Sequence, residues 1–143
     1  MKFEYSDDYA TKFGDFTEIN FEERTFANDL IESWQSLVES LTKPYNDVLE
    51  EFSFDVSSLR ESIDLCINEK SLADFDDHKI FEEKIILLDK VFINLTQEHP
   101  DWQNFINFNW WEKRVPKKVT PKFFYGTERD CYEKVGLQFE IVE

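Results

Sequence analysis

The stretch from Asp77 to Glu98 constrains this chain more than any other, because its apolar residues recur with the period of a helix. Phe81, Ile85, Leu88, Phe92 and Leu95 follow one another at steps of four, three, four and three, which lays them along one face. Ile80, Leu87 and Val91 widen that stripe on one flank, and Ile86 and Ile93 carry apolar surface further round the cylinder. Such a helix asks for cover on more than one side. Asp76 or Asp77 can cap its first turn, Glu82 and Glu83 lie where the positive end of the helix dipole favours anions, and Pro100 prevents continuation beyond His99.

Other helices are expected to pack around it. From Thr25 to Lys43, Phe26, Leu30, Trp34, Leu37 and Leu41 fall on one face, Asp29, Glu32 and Glu39 on the other, and Pro44 ends the run. A shorter helix after Pro44 would turn Val48, Leu49 and Phe52 inward and Asp47, Glu50 and Glu51 outward. Ser58-Leu-Arg-Glu61 has the form of a capping box and predicts a fresh helix start, with Leu59, Ile63, Cys66 and Ile67 buried as far as about Lys70. Beyond Pro100, Asp101 can cap a helix that carries Trp102, Phe105 and Ile106 and leads to Trp110 and Trp111. Adjacent tryptophans on a helix point about 100° apart, so they are either core plugs wedged between elements or, for one of the pair, an exposed binding anchor.

The two ends of the chain read as extended. Phe3 and Tyr5 alternate with polar neighbours, Ile19 and Phe21 flank Asn20, and Gly14-Asp15 suggests a turn. Leu137, Phe139 and Ile141 alternate plainly, which makes a strand that can pair with residues 122–125 and, as a further candidate, with residues 2–5. The expected fold class is therefore α+β and helix-dominated. About four or five helices surround a central helix at roughly 77–98, with a small antiparallel sheet from the C-terminal segment and, as a further candidate, the N-terminus, all in a single globular domain of residues 1–143.

Charge is the property that departs most from an ordinary domain: 31 Asp and Glu stand against 16 Lys and Arg, a net −15. From Glu112 onward seven basic residues face six acidic ones, so residues 1–111 hold nine basic and 25 acidic residues, a net −16. A body this acidic repels nucleic acid and anionic membranes and attracts basic proteins. Lys113, Arg114, Lys117, Lys118 and Lys122, with two prolines and no acid between them, are expected to form an extended connector lying against the protein's own acidic surface. The chain still holds 24 aromatic residues (15 Phe, 5 Tyr, 4 Trp), enough to fill a core, which excludes a disordered acidic tail.

Signatures of catalysis are missing. Gly14, Gly126 and Gly136 are isolated, so no glycine-rich phosphate loop exists, and there is no Cys-x-x-Cys pair or Gly-x-Ser-x-Gly elbow. Asp74, Asp76, Asp77 and His78 cluster, but Lys79 and Ile85 occupy the places that a calcium loop gives to glycine and glutamate. His78 and His99 stand at opposite ends of the central helix, so they read as terminal or surface histidines and not as ligands of one ion. The expectation is no enzyme, no metal and no cofactor. Cys66 and Cys131 are too few for a disulfide framework, Cys66 reads as a small core residue, and Met1-Lys-Phe-Glu-Tyr does not look like a signal peptide. No apolar run approaches the roughly 20 residues of a membrane span, so the expected location is the cytoplasm.

In size, net charge and lack of catalytic motifs the chain is similar to immunity proteins of bacterial toxin delivery systems, and its Lys-, Asn-, Phe- and Ile-rich usage looks like an AT-rich bacterial source. The resemblance is to a class, and no functional residue is carried over from it. It implies a one-to-one complex with a basic toxin, most simply a nuclease, whose positive cleft the acidic surface would occlude without direct contact with nucleic acid or membrane. The candidate contact residues are Asp29, Glu32, Glu39, Asp47, Glu50, Glu51, Asp74, Asp76, Asp77, Glu82 and Glu83, with Trp110 or Trp111 as an anchor. Two alternatives stay open: a phage-type DNA mimic blocking a restriction or CRISPR effector, and a general acidic interaction module.

Overall fold

A computed structural model describes residues 1–126 and 136–143. The described chain is helix-dominated α+β: α1 (Asp7–Phe21), α2 (Ala27–Ser40), α3 (Leu49–Ile67), α4 (Asp76–Leu95) and α5 (Pro121–Gly126), with short strands β1 (Thr96–Glu98), β2 (Arg114–Pro116), β3 (Lys118–Val119) and β4 (Glu140–Ile141). It divides into two compact units, one of Met1–Ser36 and Ser58–Asp89, the other of Leu37–Ser57 and Lys90–Glu143.

In the first unit the expected N-terminal strands and the Gly14 turn are replaced by a helix. Ser6 caps α1 by accepting the Tyr9 amide at 3.2 Å, Asp7 and Asp8 fill its first turn, and Tyr9, Phe13 and Thr17 recur at steps of four on its buried face. Gly14 sits inside this helix because a side chain there would come within 2.9 Å of both the Arg24 guanidinium and the Phe26 ring, which close over it. The first five residues do run extended: Asn28 accepts the Phe3 amide at 3.1 Å and donates to its carbonyl at 2.9 Å, mimicking one rung of a sheet with a side chain.

The core of this unit is aromatic and aliphatic. Phe13 meets Phe81 edge to face at 5.3 Å, Tyr9 packs on Phe75 at 5.4 Å, and Ile31, Trp34, Ile63, Leu72 and Ile85 are fully buried around them. Inside it lies a charged network: Asp89 accepts Arg60 Nε at 3.0 Å and Nη2 at 2.9 Å, and also the Trp34 indole N–H at 3.0 Å. His78, expected near the surface, is buried, its Nδ1 2.7 Å from the Tyr9 hydroxyl and its Nε2 3.1 Å from the Ile67 carbonyl. Cys66 is buried as expected.

Three of the expected helix boundaries move. α2 ends at Ser40 and not Lys43, because Leu41, Thr42 and Lys43 donate to carbonyls three residues back in a tightened turn. The two helices expected on either side of Ser58 are one, α3, in which Ser62 donates to the Ser58 carbonyl; Ser58 is therefore interior to a helix and does not cap one. α4 starts at Asp76 and stops at Leu95, and the residues to Glu98 become β1. Ile80, Leu87 and Val91, expected to be covered, are at least 39% exposed, as are Ile86 and Ile93, so the helix buries one stripe only.

The second unit holds both sheets. β1 and β2 pair antiparallel, with Gln97 opposite Val115, whereas β3 and β4 pair parallel, with Val119 opposite Ile141. The C-terminal strand thus joins residues 118–119, while 122–125 lie in α5, which Pro121 opens. In place of the expected helix after Pro100 stand two short 3₁₀ turns, Pro100–Trp102, where His99 takes the capping role and accepts the Asp101 amide through Nδ1, and Trp110–Lys113. Buried His99 stacks on Trp102 at 4.1 Å.

The basic segment does not lie on acidic side chains as expected. Lys113, Lys117 and Lys118 donate to the carbonyls of Gln103, Asn94 and Thr42, and Arg114 donates to those of Ile93 and Thr96; among the described residues only Arg114 of these four also reaches a carboxylate, Glu98 at 3.7 Å. Asn94 and Ile93 belong to the last turn of α4 and Thr42 follows the end of α2, so Arg114, Lys117 and Lys118 meet the negative ends of helices.

Candidate functional site: an acidic face around Phe54

The sequence-predicted carboxylates fall into two groups. Those with local structural work are Asp29, which accepts the Phe26 amide at 3.0 Å at the start of α2; Asp47, which accepts the Val48 amide at 2.8 Å; and Asp77, which accepts both the amide and the hydroxyl of Ser6. Glu32 is bridged by Lys2 at 2.9 Å and Asp76 by Lys79 at 3.8 Å, both in solvent. The extended N-terminal residues therefore lie along the early part of the α2 stripe and offset some of its charge. Asp74, Glu82 and Glu83 are exposed in the first unit, Glu39 in the second.

Asp47, Glu50 and Glu51 of the second unit belong to a denser arrangement that also takes in Asp55 and Phe54, two residues not singled out in the sequence. Glu50, Glu51 and Asp55 make no ion pair among the described residues. At about 100° per residue, Glu50, Phe54, Glu51 and Asp55 spread over roughly 140° of the α3 surface, with Phe54 between the carboxylates. Phe54 is 68% exposed, far more than the inward Phe52 and Val56 of the same helix. A large ring standing in water among acids is the feature that the expected break near Ser58 concealed. Once α3 is continuous, an apolar residue four places after Glu50 on the charged arc is legible as an exception.

On the side of this arc nearer the core, Leu37, Ser40, Leu41, Tyr45, Phe52, Asp55 and Val56 line a cleft of about 60 Å³. Leu41, Phe52 and Val56 are buried and form its apolar floor, while Asp55 and Ser40 are exposed at its rim. Tyr45 is held by its backbone, donating to the Lys118 carbonyl at 2.9 Å and accepting the Thr120 amide at 3.0 Å, and its ring packs edge-on against Phe52 and Phe123. Burial, then the charges of Asp47, Asp55 and Glu51, push its phenol up to about 12. The negative field of three carboxylates thus converges on one fixed ring.

Of the two tryptophans, Trp111 is 3% exposed and serves the core, while Trp110 is 38% exposed. Trp110 packs edge-on against Phe92 at 6.1 Å and against Trp111 at 5.6 Å, so its visible edge is rigidly backed. It also borders a larger pocket lined by Ile93, Glu98, Gln103, Lys113 and Arg114. No group of three or more His, Cys, Asp or Glu that could hold a metal is present among the described residues, and no helix there is long and apolar enough to cross a membrane.

The class defined by these observations is a helix-dominated α+β protein with an acidic, aromatic-centred face. In comparisons with protein families, curated proteins and solved structures, the chain matches none.

Proposed function

We propose that this chain is an acidic binding protein that neutralises a basic protein partner, and specifically an immunity protein that inhibits a bacterial toxin of the nuclease type by covering its positive cleft. The observation that carries this reading is Phe54, 68% exposed between Glu50, Glu51 and Asp55. Carboxylates arranged around an aromatic ring combine long-range attraction for a cationic surface with one residue able to bury itself in a pocket there. Net charge of −15 supports the same partner, since an enzyme acting on polyanions presents a positive cleft. Occlusion needs no chemistry from the inhibitor, only a face that excludes substrate.

Co-purification from the native host tests this. The tagged protein is washed at about 150 mM and then at about 500 mM salt, where exposed charge contacts are largely screened. A single basic protein retained in equal amount through both washes, whose own activity is blocked when bound, is the expected result. A mixture of cationic proteins lost at the second wash overturns the proposal.

A further inference from the structure

The cleft beside Tyr45 has a chemistry of its own. Its floor is made by the apolar side chains of Leu41, Phe52 and Val56, and its rim carries one carboxylate, Asp55, one hydroxyl, Ser40, and the Tyr45 ring. The Ser40 hydroxyl already donates its proton to the Leu37 carbonyl at 2.5 Å, so what it offers a visitor is a lone pair. Asp55 makes no ion pair among the described residues, and the nearby Asp47 and Glu51 add to the negative field at the mouth. An apolar slot with acceptors at its rim suits an alkyl chain that ends in a cation.

We infer that this cleft receives a lysine side chain of a basic partner, with the methylenes against Leu37, Leu41 and Val56 and the ammonium at Asp55 and Ser40. A lysine fits better than an arginine because the acceptors come from α2 and α3 separately, which suits three rotatable donors more than a flat fork. Burying the stem while the charge stays at the rim also avoids the cost of a fully desolvated ammonium. The slot is preformed: backbone hydrogen bonds to Lys118 and Thr120 fix Tyr45, and Phe52 and Val56 are packed from within α3. This inference rests on the reading of the chain as a binder of a basic protein, and it names the side chain that one site on that chain would take.

The probe is n-butylammonium, titrated into isotopically labelled full-length protein, with n-butanol as its neutral counterpart. The expected result is saturable shifts in the methyl resonances of Leu37, Leu41 and Val56, with butanol binding about threefold or more weakly, the size of an exposed charge contact. Asp55→Asn, a substitution at an exposed position, should remove that preference. Equal binding of the two probes, or a preference that survives Asp55→Asn, overturns the inference. A second arm uses Leu37→Trp to fill the mouth. Loss of a partner that the unaltered chain retains supports the inference, and undiminished retention overturns it. If the unaltered chain retains no partner, the proposed function falls, and a positive probe titration then defines an alkylammonium site without that role.

Discussion

Arg60 and Asp89 form a two-pronged ion pair inside the first unit, Nε to Oδ1 at 3.0 Å and Nη2 to Oδ2 at 2.9 Å, with each residue less than 10% exposed. The same Oδ1 accepts the Trp34 indole N–H. Removing Asp89 leaves the buried Arg60 guanidinium with the more exposed Asp64 at 3.6 Å as a weaker counter-charge, so Asp89→Ala should cost about 3 kcal/mol in urea denaturation. Arg60→Met combined with Asp89→Asn leaves no buried charge, the partly exposed Asp64 remaining, and keeps an acceptor for Trp34, and should recover most of that loss. Additive losses in the double variant would mean that Arg60 and Asp89 are not coupled and that each stabilises through its other contacts.

Asp89 also shows where sequence reading stops. The stripe Phe81, Ile85, Leu88 and Phe92 was legible from its spacing, and the structure buries all four. The carboxylate beside them was not, because its partner Arg60 lies 29 residues away and no local pattern joins the two. Helices α2 and α4 were legible within a few residues, since each has one apolar face and a stop signal. α1 was not: its glycine and alternating aromatics have the pattern of strand and turn, and Ser6 before two acids is a weak cap signal by itself. In the acidic face, Glu50 and Glu51 were found by charge, but Phe54 and the Tyr45 cleft depend on α3 being continuous through Ser58. The parallel β3–β4 pair could not be read from the short, equally extended segments available.

Ser6 holds two things at once, the start of α1 through Tyr9 and the side chain of Asp77 at 3.1 Å. Ser6→Ala should lower stability by about 1 kcal/mol, the usual cost of a lost cap. Asp77→Ala in the same background should then cost less than it does alone, because the hydroxyl, one of the two Ser6 donors to that carboxylate, has gone.

Cys66 should be chemically silent. Burial pushes its thiol from 9.0 up to about 12, helped by Glu69, so little thiolate forms at neutral pH. In a Cys131→Ser background, a thiol reagent at pH 8 should leave the folded protein unmodified over minutes and label one equivalent in urea. Fast labelling of the folded state would place Cys66 at a reachable surface.

The same shifts set a pH window. A thiol that holds its proton more tightly when folded stabilises the fold fully below pH 9.0, and that contribution is lost as pH rises towards about 12. Tyr45, raised from 10.0 to about 12 chiefly by burial, acts in the same direction at somewhat higher pH. His99 works at the other end: burial lowers it below 6.5, against a smaller opposing effect of Asp101, so its contribution fades as pH falls through that region. Thermal melts followed across pH should therefore show a loss above about pH 9 that Cys66→Ala reduces.

On the acidic face, charge and ring should separate kinetically. Glu50→Lys with Glu51→Lys should slow association with the basic partner by about tenfold or more at low salt, with little change in thermal stability, because both are exposed. Phe54→Ala should leave association nearly unchanged and speed dissociation, at a cost of about 2 kcal/mol in affinity. Surface plasmon resonance distinguishes the two, and an unaltered affinity in both variants would place the interface elsewhere.

The four tryptophans are distributed so that the protein carries its own optical labels. Trp34 alone lies in the first unit, buried with its N–H on a carboxylate, while Trp102, Trp110 and Trp111 lie in the second at graded depth. Emission from Trp34 therefore reports the Arg60–Asp89 network without interference once the other three are replaced by phenylalanine. Conversely, Trp110, 38% exposed, would change its emission if a bound molecule covered it, which the buried Trp34 and Trp111 would not. A spectrometer can thus follow the unfolding of each unit separately in the same chain, with no dye attached.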